Sequence, residues 1–292
     1  MLNEKKGGLF MGNKIDGRAA AENYRVELKK LVDNKKKMGL REPCLAGILV
    51  GKDGGSLSYI SNQKKICSQL GVNYRDIILD EDVCEENLIS IIEELNNDTE
   101  VDGVIIQLPL PKHLNEKVIT SKLNPLKDVD GLTDLNNGKF YKGEQCFIPC
   151  TPQSILHLIK STGCEIEGKN AVVVGRSNIV GKPIGELLLR SNATVTICHS
   201  KTTNLNEICS RADILVCALG KPGFINCEYV KEGAVVIDVG TTMVEGKIKG
   251  DVAFDEVLAK ASYVTPVPGG VGAMTTTMLI KNTCEAWNRN VY

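Results

Sequence analysis

The segment "VVVGRSNIVGKPIG" (172–185) decides how the chain is read. A run of valines gives a buried-strand pattern, a glycine breaks it, and an apolar helical pattern follows. Gly175 lets the backbone turn and approach a ligand closely, while Gly181 and Gly185 allow a helix to seat tightly on the strand. The amides of that helix N-terminus favour an anion such as a phosphate. The spacing departs from G-x-G-x-x-G, so an ordinary glycine-rich turn competes with a nucleotide loop. The end of the next strand, "CHSKTT" (198–203), tilts the balance. A dinucleotide fold that prefers NAD places Asp or Glu there for the ribose hydroxyls. Ser200 and Lys201 stand there instead, with Arg176 in the first loop, and this set suits the 2′-phosphate of NADP. The plainer reading leaves Arg176 and Lys201 as solvated charges.

Outward from this segment, strand and helix alternate. "NAVVVG" (170–175), a helix over about 182–191, "ATVTIC" (193–198), a helix near 204–211, "DILVCAL" (213–219) and "AVVIDVG" (234–240) follow one another. Earlier, "CLAGILVG" (44–51), a helix over about 56–70, "YRDIILD" (74–80), "EENLISIIEELNND" (85–98) and "DGVIIQLPLP" (102–111) do the same. Leu88, Ile91, Ile92 and Leu95 recur at helical spacing, and Pro109 and Pro111 read as strand terminators. Between the two series, "GKFYKGEQCFIPCTPQS" (138–154) is rich in turn residues and reads as a break. The expectation is an α/β protein of two domains. Residues 11–148 form an N-terminal α/β catalytic domain and 149–272 a Rossmann-like parallel-sheet NAD(P)-binding domain. The apolar C-terminal helix, 273–292, returns to the first. A cleft between the domains is the expected site, because α/β sites lie at the carboxyl ends of strands.

Bulk properties narrow the class. A chain of 292 residues is long for one domain, and 42% apolar content supports buried cores. The net charge of −1, with both signs mixed, argues against an extended nucleic-acid footprint. No apolar run approaches the ~20 residues that span a bilayer, so no membrane partner is expected. The start, "MLNEKKGGLFMGNKIDG", lacks the long apolar run of a secretory signal; its first ten residues read as a flexible extension, and Met11 is a candidate start. Eleven cysteines, an odd number without a CxxC pair, fit buried free thiols in a reducing cytoplasm, as with Cys198 and Cys217 in strand-like runs. His113, His157 and His199 are scattered, so no metal site is expected.

Several segments share one further pattern: "QLPLP" (107–111), "KDVDG" (127–131), "PCTP" (149–152), "GRSNIVGKP" (175–183), "CHSKT" (198–202) and "TPVPGGVGAMT" (265–275). With them the chain, from "KIDGRAAA" (14–21) to the C-terminal helix, resembles the methylenetetrahydrofolate dehydrogenase/cyclohydrolase family. The resemblance implies a homodimer in one-carbon metabolism. It implies oxidation of methylenetetrahydrofolate to the methenyl form with NADP, or in some members NAD, and then usually hydrolysis to formyltetrahydrofolate. It further implies that Tyr59 packs against the folate rings, that Gln107 stands beside the catalytic lysine position, and that Asp130 accepts from the pterin N–H groups. Pro268, Gly269, Gly270, Val271 and Gly272 match the loop that closes over the substrate. Gly175, Arg176 and Ser177 match the phosphate loop, Ser200 the 2′-phosphate contact, and Thr241 a nicotinamide-side position. Asp128 reads as a turn or cap residue. Ala273, Thr241 and Ser154 stand where many relatives carry proline, isoleucine and glycine. Two other readings compete: a nicotinamide-dependent dehydrogenase of another small metabolite, and a non-catalytic folate- or NADP-binding protein.

One departure removes a reacting group. The family pattern is Y-x-x-x-K, and "SYISNQKK" (58–65) places Gln63 four residues after Tyr59. Residues i and i+4 share a helix face, whereas Lys64 and Lys65 lie about 140° and 240° round from Tyr59 at 100° per residue. Dehydrogenation needs no proton transfer; hydrolysis of the methenyl cation does, and a glutamine can hydrogen-bond but cannot shuttle protons as a lysine can. The expectation is dehydrogenase activity with cyclohydrolase activity weak or absent.

Overall fold

A computed structural model describes residues 11–51 and 54–290. The extension expected over residues 1–10 lies outside the described residues. In chain order the elements are β1 (Asn13–Lys14), α1 (Gly17–Lys37), β2 (Cys44–Val50), α2 (Gly54–Leu70), β3 (Asn73–Leu79), α3 (Glu85–Asn97) and β4 (Gly103–Ile106). Then come α4 (Glu116–Ser121), α5 (Asp134–Lys142), α6 (Cys150–Ser161), β5 (Asn170–Val174), α7 (Gly181–Arg190), β6 (Thr194–Cys198) and α8 (Leu205–Cys209). The series ends with β7 (Ile214–Cys217), β8 (Val235–Asp238), β9 (Thr242–Val244), β10 (Lys247–Lys249), α9 (Phe254–Leu258), β11 (Tyr263–Val264) and α10 (Val271–Asn290). The chain divides into two compact units, one of Ala21–Cys150 with the chain from Thr275 onward, the other of Thr151–Met274 with the chain up to Ala20.

The first unit holds a three-stranded parallel sheet of order β3-β2-β4, in which Leu45 pairs with Tyr74 and Gly103. Every residue of β2 is buried, as expected for a central parallel strand covered on both faces. One face carries Ala46, Ile48, Val50, Val104 and Ile106 against Leu88, Ile92 and Leu95 of α3. On the other, Gly103 admits the chain so closely that a β-carbon there would lie 2.7 Å from Val129. Asn282 of α10 fastens that layer, donating to the carbonyls of Val129 at 2.8 Å and Ile148 at 3.2 Å. Asp102, fully buried, accepts two Arg41 N–H groups at 2.7 Å and the Cys44 N–H at 2.9 Å. Its charge is thereby paired, as a buried carboxylate requires.

The second unit holds a six-stranded parallel sheet of order β1-β11-β8-β7-β5-β6. Its central strands β7 and β8 are buried throughout, matching their unbroken apolar runs. Asn13 and Lys14 pair with Tyr263 and Val264, and Gly12 and Ile15 donate to the carbonyls of Leu258 and Val264, each at 2.8 Å. These edge bonds place residues 12–15 on the nucleotide-type sheet, and the chain up to Ala20 belongs to that unit, whereas the sequence reading set everything from 11 to 148 in the other domain.

The stretch 138–154 also differs from its reading as a break. It contains the end of α5 and the start of α6, and only 143–149 is irregular. Thr133 caps α5 by accepting the Asn136 N–H, Gly143 closes it in the left-handed conformation, and Pro152 sits in the first turn of α6, where a missing N–H costs nothing. The hairpin β9–β10 is new; Glu245 (φ 50°) and Gly246 (φ 74°) make its two-residue turn.

Candidate functional site

Two groups of candidate residues form, one in each unit. In the first, α2 carries Tyr59 and Gln63 one turn apart. Tyr59 is 39% exposed and Gln63 only 4%, so the phenol is open to a ligand while the amide is largely enclosed by the protein. Asn62 holds the helix in place through a 3.1 Å bond to Thr276 of α10. Gln63 Oε1 accepts from the Tyr74 hydroxyl at 2.9 Å and from Gln107 Nε2 at 3.3 Å. Gln107 follows the carboxyl end of β4, its own N–H bonded to the Ile48 carbonyl at 2.9 Å. Thus Gln63 and Gln107, expected to be neighbours, touch. Lys64 does not substitute for a lysine at 63: its amine pairs with Asp76, and Lys65 is exposed.

Asp130 lies two residues past a parallel bridge between Asp128 and Val104, in a turn closed by the Gly131 N–H on the Asp128 carbonyl at 3.1 Å. It accepts the Cys150 N–H at 3.3 Å. Burial pushes its carboxyl up from 3.8 to about 6, against the Cys150 hydrogen bonds that pull it down. Asp128 has a different task. It is buried and accepts from the N–H groups of Leu132 and Thr133, the Thr133 hydroxyl and Asn136 Nδ2, which makes it the anchor of α5.

The second group lines the carboxyl ends of the six-stranded sheet. Gly175 has φ of 140°, and a β-carbon on it would stand 2.4 Å from the Ala218 carbonyl oxygen. Gly181, opening α7, is packed on Gly175: its β-carbon would meet that carbonyl oxygen at 2.2 Å. The close approach of strand turn and helix therefore demands glycine at both positions. Ser177 Oγ accepts from the N–H groups of Val180 and Gly181 at 3.2 and 3.3 Å, capping the helix and leaving its proton to donate. Gly175 N–H bonds the Cys198 carbonyl at 2.9 Å, so Arg176 and Ser200 emerge from neighbouring strand ends. Both are exposed, and Arg176 has no ion-pair partner among the described residues. The cradle fits a dinucleotide diphosphate at the amides of α7, with a free guanidinium for a further phosphate.

Thr241 is exposed after β8. In the loop after β11, Pro268 is exposed and Gly270 buried, whereas Val271 (buried) and Gly272 (exposed), expected in the same loop, open α10. Gly269 (φ 107°) accepts the Gly17 N–H at 3.0 Å, and a β-carbon on Gly17 would lie 2.1 Å from the Gly270 oxygen.

Sequence reasoning missed Tyr74, Asp238 and Asp251. Asp251 gathers the N–H groups of Leu219, Gly220 and Lys221 at 2.6–3.0 Å. Asp238 gathers those of Gly240, Asp251 and Val252 at 2.9–3.0 Å. Burial pushes Asp238 up to about 6, with those backbone bonds opposing it. The two carboxylates fix the loops after β7 and β8, from which Thr241 projects. An aspartate ending an apolar strand, as in "VVIDVG", is a visible signal for such an anchor.

Comparison with known proteins gives one consistent result. The model described as "Tetrahydrofolate dehydrogenase/cyclohydrolase, catalytic domain" matches residues 15–130. The one described as "Tetrahydrofolate dehydrogenase/cyclohydrolase, NAD(P)-binding domain" matches residues 149–291. The bifunctional protein FolD of Clostridium novyi (strain NT) is 64% identical over 275 residues, covering 94% of this chain and 99% of that protein. Among solved structures, the bifunctional enzyme FolD of Campylobacter jejuni is 41% identical with a TM-score of 0.92, over 95% of this chain and 99% of that one. The Trypanosoma brucei FolD complexed with NADP cofactor and inhibitor is 37% identical with a TM-score of 0.93, over 97% and 99%.

Asp130 gives a pH prediction. Its folded carboxyl titrates near 6 and its ordinary value is 3.8. Between these values the fold keeps a proton that the unfolded chain releases. The contribution to stability is full below the lower value and is lost as pH rises through the upper one. Urea unfolding from acid to neutral pH should show wild type losing stability relative to Asp130→Asn over that window; a constant difference would refute the shift.

Proposed function

The chain belongs to the tetrahydrofolate dehydrogenase/cyclohydrolase family, and on that premise we propose that it oxidises methylenetetrahydrofolate with NADP but hydrolyses the methenyl product poorly. The observation that carries this reading is Gln63, buried and bonded to Gln107 and Tyr74, at the position of the family lysine. A bound NADP would supply the hydride acceptor, for one proton with two electrons, opposite the carbon between the two folate nitrogens. No acid or base is needed, because the nitrogen lone pairs spread the resulting charge; the protein has to bind and orient. Tyr59 offers the folate rings a stacking face. Asp130, ionised above its raised pKa, offers the pterin N–H groups a two-oxygen acceptor. Gly175, Ser177 and the amides of α7 would hold the diphosphate, Arg176 and Ser200 the 2′-phosphate, with NAD the weaker alternative. Thr241 would border the nicotinamide, and the 268–272 loop the substrate.

Hydrolysis asks for more. Water must lose a proton as it adds to the methenyl carbon, and the leaving nitrogen must gain one as its bond to that carbon breaks. Gln63 is neutral at every accessible pH and moves neither proton. Lys64 is engaged with Asp76. Reintroducing a lysine that shuttles protons should raise hydrolysis on the order of 10²–10⁴-fold. The test follows both reactions spectrophotometrically in wild type and Gln63→Lys. Wild type should reduce NADP with methylenetetrahydrofolate and leave methenyltetrahydrofolate hydrolysis near the uncatalysed rate; robust hydrolysis by wild type would overturn the reading.

The cofactor choice has its own test. A charge-assisted contact to the 2′-phosphate is worth about 1.5–3 kcal/mol, roughly tenfold or more in affinity. Arg176→Ala should weaken NADP by that factor and leave NAD nearly unchanged; equal losses would show that the arginine does not read the phosphate.

The assembly and compartment extend the same reading. All eleven cysteines are free, which supports a reducing cytoplasm, and no described helix is long and apolar enough to cross a membrane. A homodimer is supported by β6, the edge strand of its sheet, with Ile197 exposed and packed on Gly185, and Leu189 exposed one turn further along α7. Sedimentation should give twice the 31.7 kDa chain mass, and Ile197→Lys should return the monomer. A monomeric wild type would refute the assembly.

A further inference from the structure

Tyr74 belongs to none of the motifs that point to folate or nucleotide, yet its hydroxyl ends on Gln63. It reaches there from β3 along the face of the sheet, over Gly47 of β2. A β-carbon on Gly47 would stand 1.9 Å from the Tyr74 oxygen and 2.7 Å from Cζ. The glycine is thus the gap through which the phenol passes. Above it, the Lys64 amine lies 6.0 Å from the ring centroid and pairs with Asp76. Burial pushes the phenol's pKa upward, so it keeps its proton to donate.

The bonding fixes what Gln63 has left to offer. An amide oxygen has two lone pairs and its nitrogen two N–H donors. Tyr74 and Gln107 donate to that one oxygen, at 2.9 and 3.3 Å. Both lone pairs are engaged by the protein, and only the N–H side remains for a ligand. Without the phenol, Gln107 alone would hold the amide, and rotation by half a turn would present the carbonyl instead.

We infer that Tyr74 is a positioning residue that locks the Gln63 amide carbonyl-inward, so that the site presents N–H donors to an acceptor atom of the bound folate. The inference rests on the folate site proposed above. It predicts a specific pattern of coupling, because Tyr74 acts only through Gln63.

The experiment measures tetrahydrofolate affinity by titration calorimetry, with folate KM and kcat, for wild type, Tyr74→Phe, Gln63→Leu and the double variant. Tyr74→Phe should weaken tetrahydrofolate roughly two- to tenfold, the range of one neutral hydrogen bond. It should raise the folate KM more than it lowers kcat and leave NADP affinity unchanged. In the Gln63→Leu background, Tyr74→Phe should cost nothing further. Gln63→Glu keeps an acceptor for both donors but has no N–H, and should lose as much affinity as Gln63→Leu. Additive losses in the double variant, or wild-type affinity in Gln63→Glu, would overturn the role of Tyr74 while leaving the folate site standing. A wild type that binds no tetrahydrofolate would instead overturn the site itself.

Discussion

Parallel pairing is the constraint on which the rest depends. In each main sheet every strand runs the same way, so all carboxyl ends gather on one edge of that sheet, and the chain must leave from that edge after each strand. In the first unit α2, with Tyr59 and Gln63, follows β2, and Gln107 follows β4. In the second, Gly175 follows β5, Ser200 follows β6, Thr241 follows β8 and Pro268 follows β11. Residues far apart in sequence become neighbours because they occupy equivalent places in successive strand–loop–helix units.

Leaving a strand in this crowded row costs backbone geometry and buried polarity, and the chain meets the two costs separately. Glycine removes the steric cost where backbone meets backbone, as at Gly175 against Ala218 and Gly181 against Gly175. Aspartate removes the polar one. Asp238 and Asp251 collect loop N–H groups after β7 and β8, Asp128 collects those that begin α5, and Asp102 pairs with Arg41. A buried carboxylate supplied with that many donors is structural. Asp130, held by Cys150 and shifted toward neutrality by burial, is poised differently. Donor supply, more than burial, separates Asp130 from the aspartates that hold the fold.

The chemistry of the first unit is set by neutrality. Tyr74, Gln63 and Gln107 form a chain of uncharged donors and acceptors beneath the exposed Tyr59. Such a network orients a flat ligand well and transfers protons badly. On the function proposed above, hydride removal from a carbon flanked by nitrogens asks no more than this of the protein, whereas addition of water to the product also asks for a group that moves protons.

The sequence by itself determined a great deal. Strand–helix alternation, the strand positions, the nucleotide loop and the absence of lysine at position 63 all follow from periodicity, glycine placement and motif spacing, which are local properties of the chain. Family membership was legible in the same segments. Tertiary structure alone decided the rest. Residues 12–15 join the six-stranded sheet because edge strand β1 satisfies its hydrogen bonds on β11, some 250 residues away in sequence. The stretch 138–154 is largely helical because Thr133 and Gly143 cap α5, and capping outweighs a turn-rich composition. Tyr74 reaches Gln63 only because Gly47 leaves a gap on the neighbouring strand. Such pairings depend on side chains meeting across elements, and no spacing along one strand encodes which partner lies opposite.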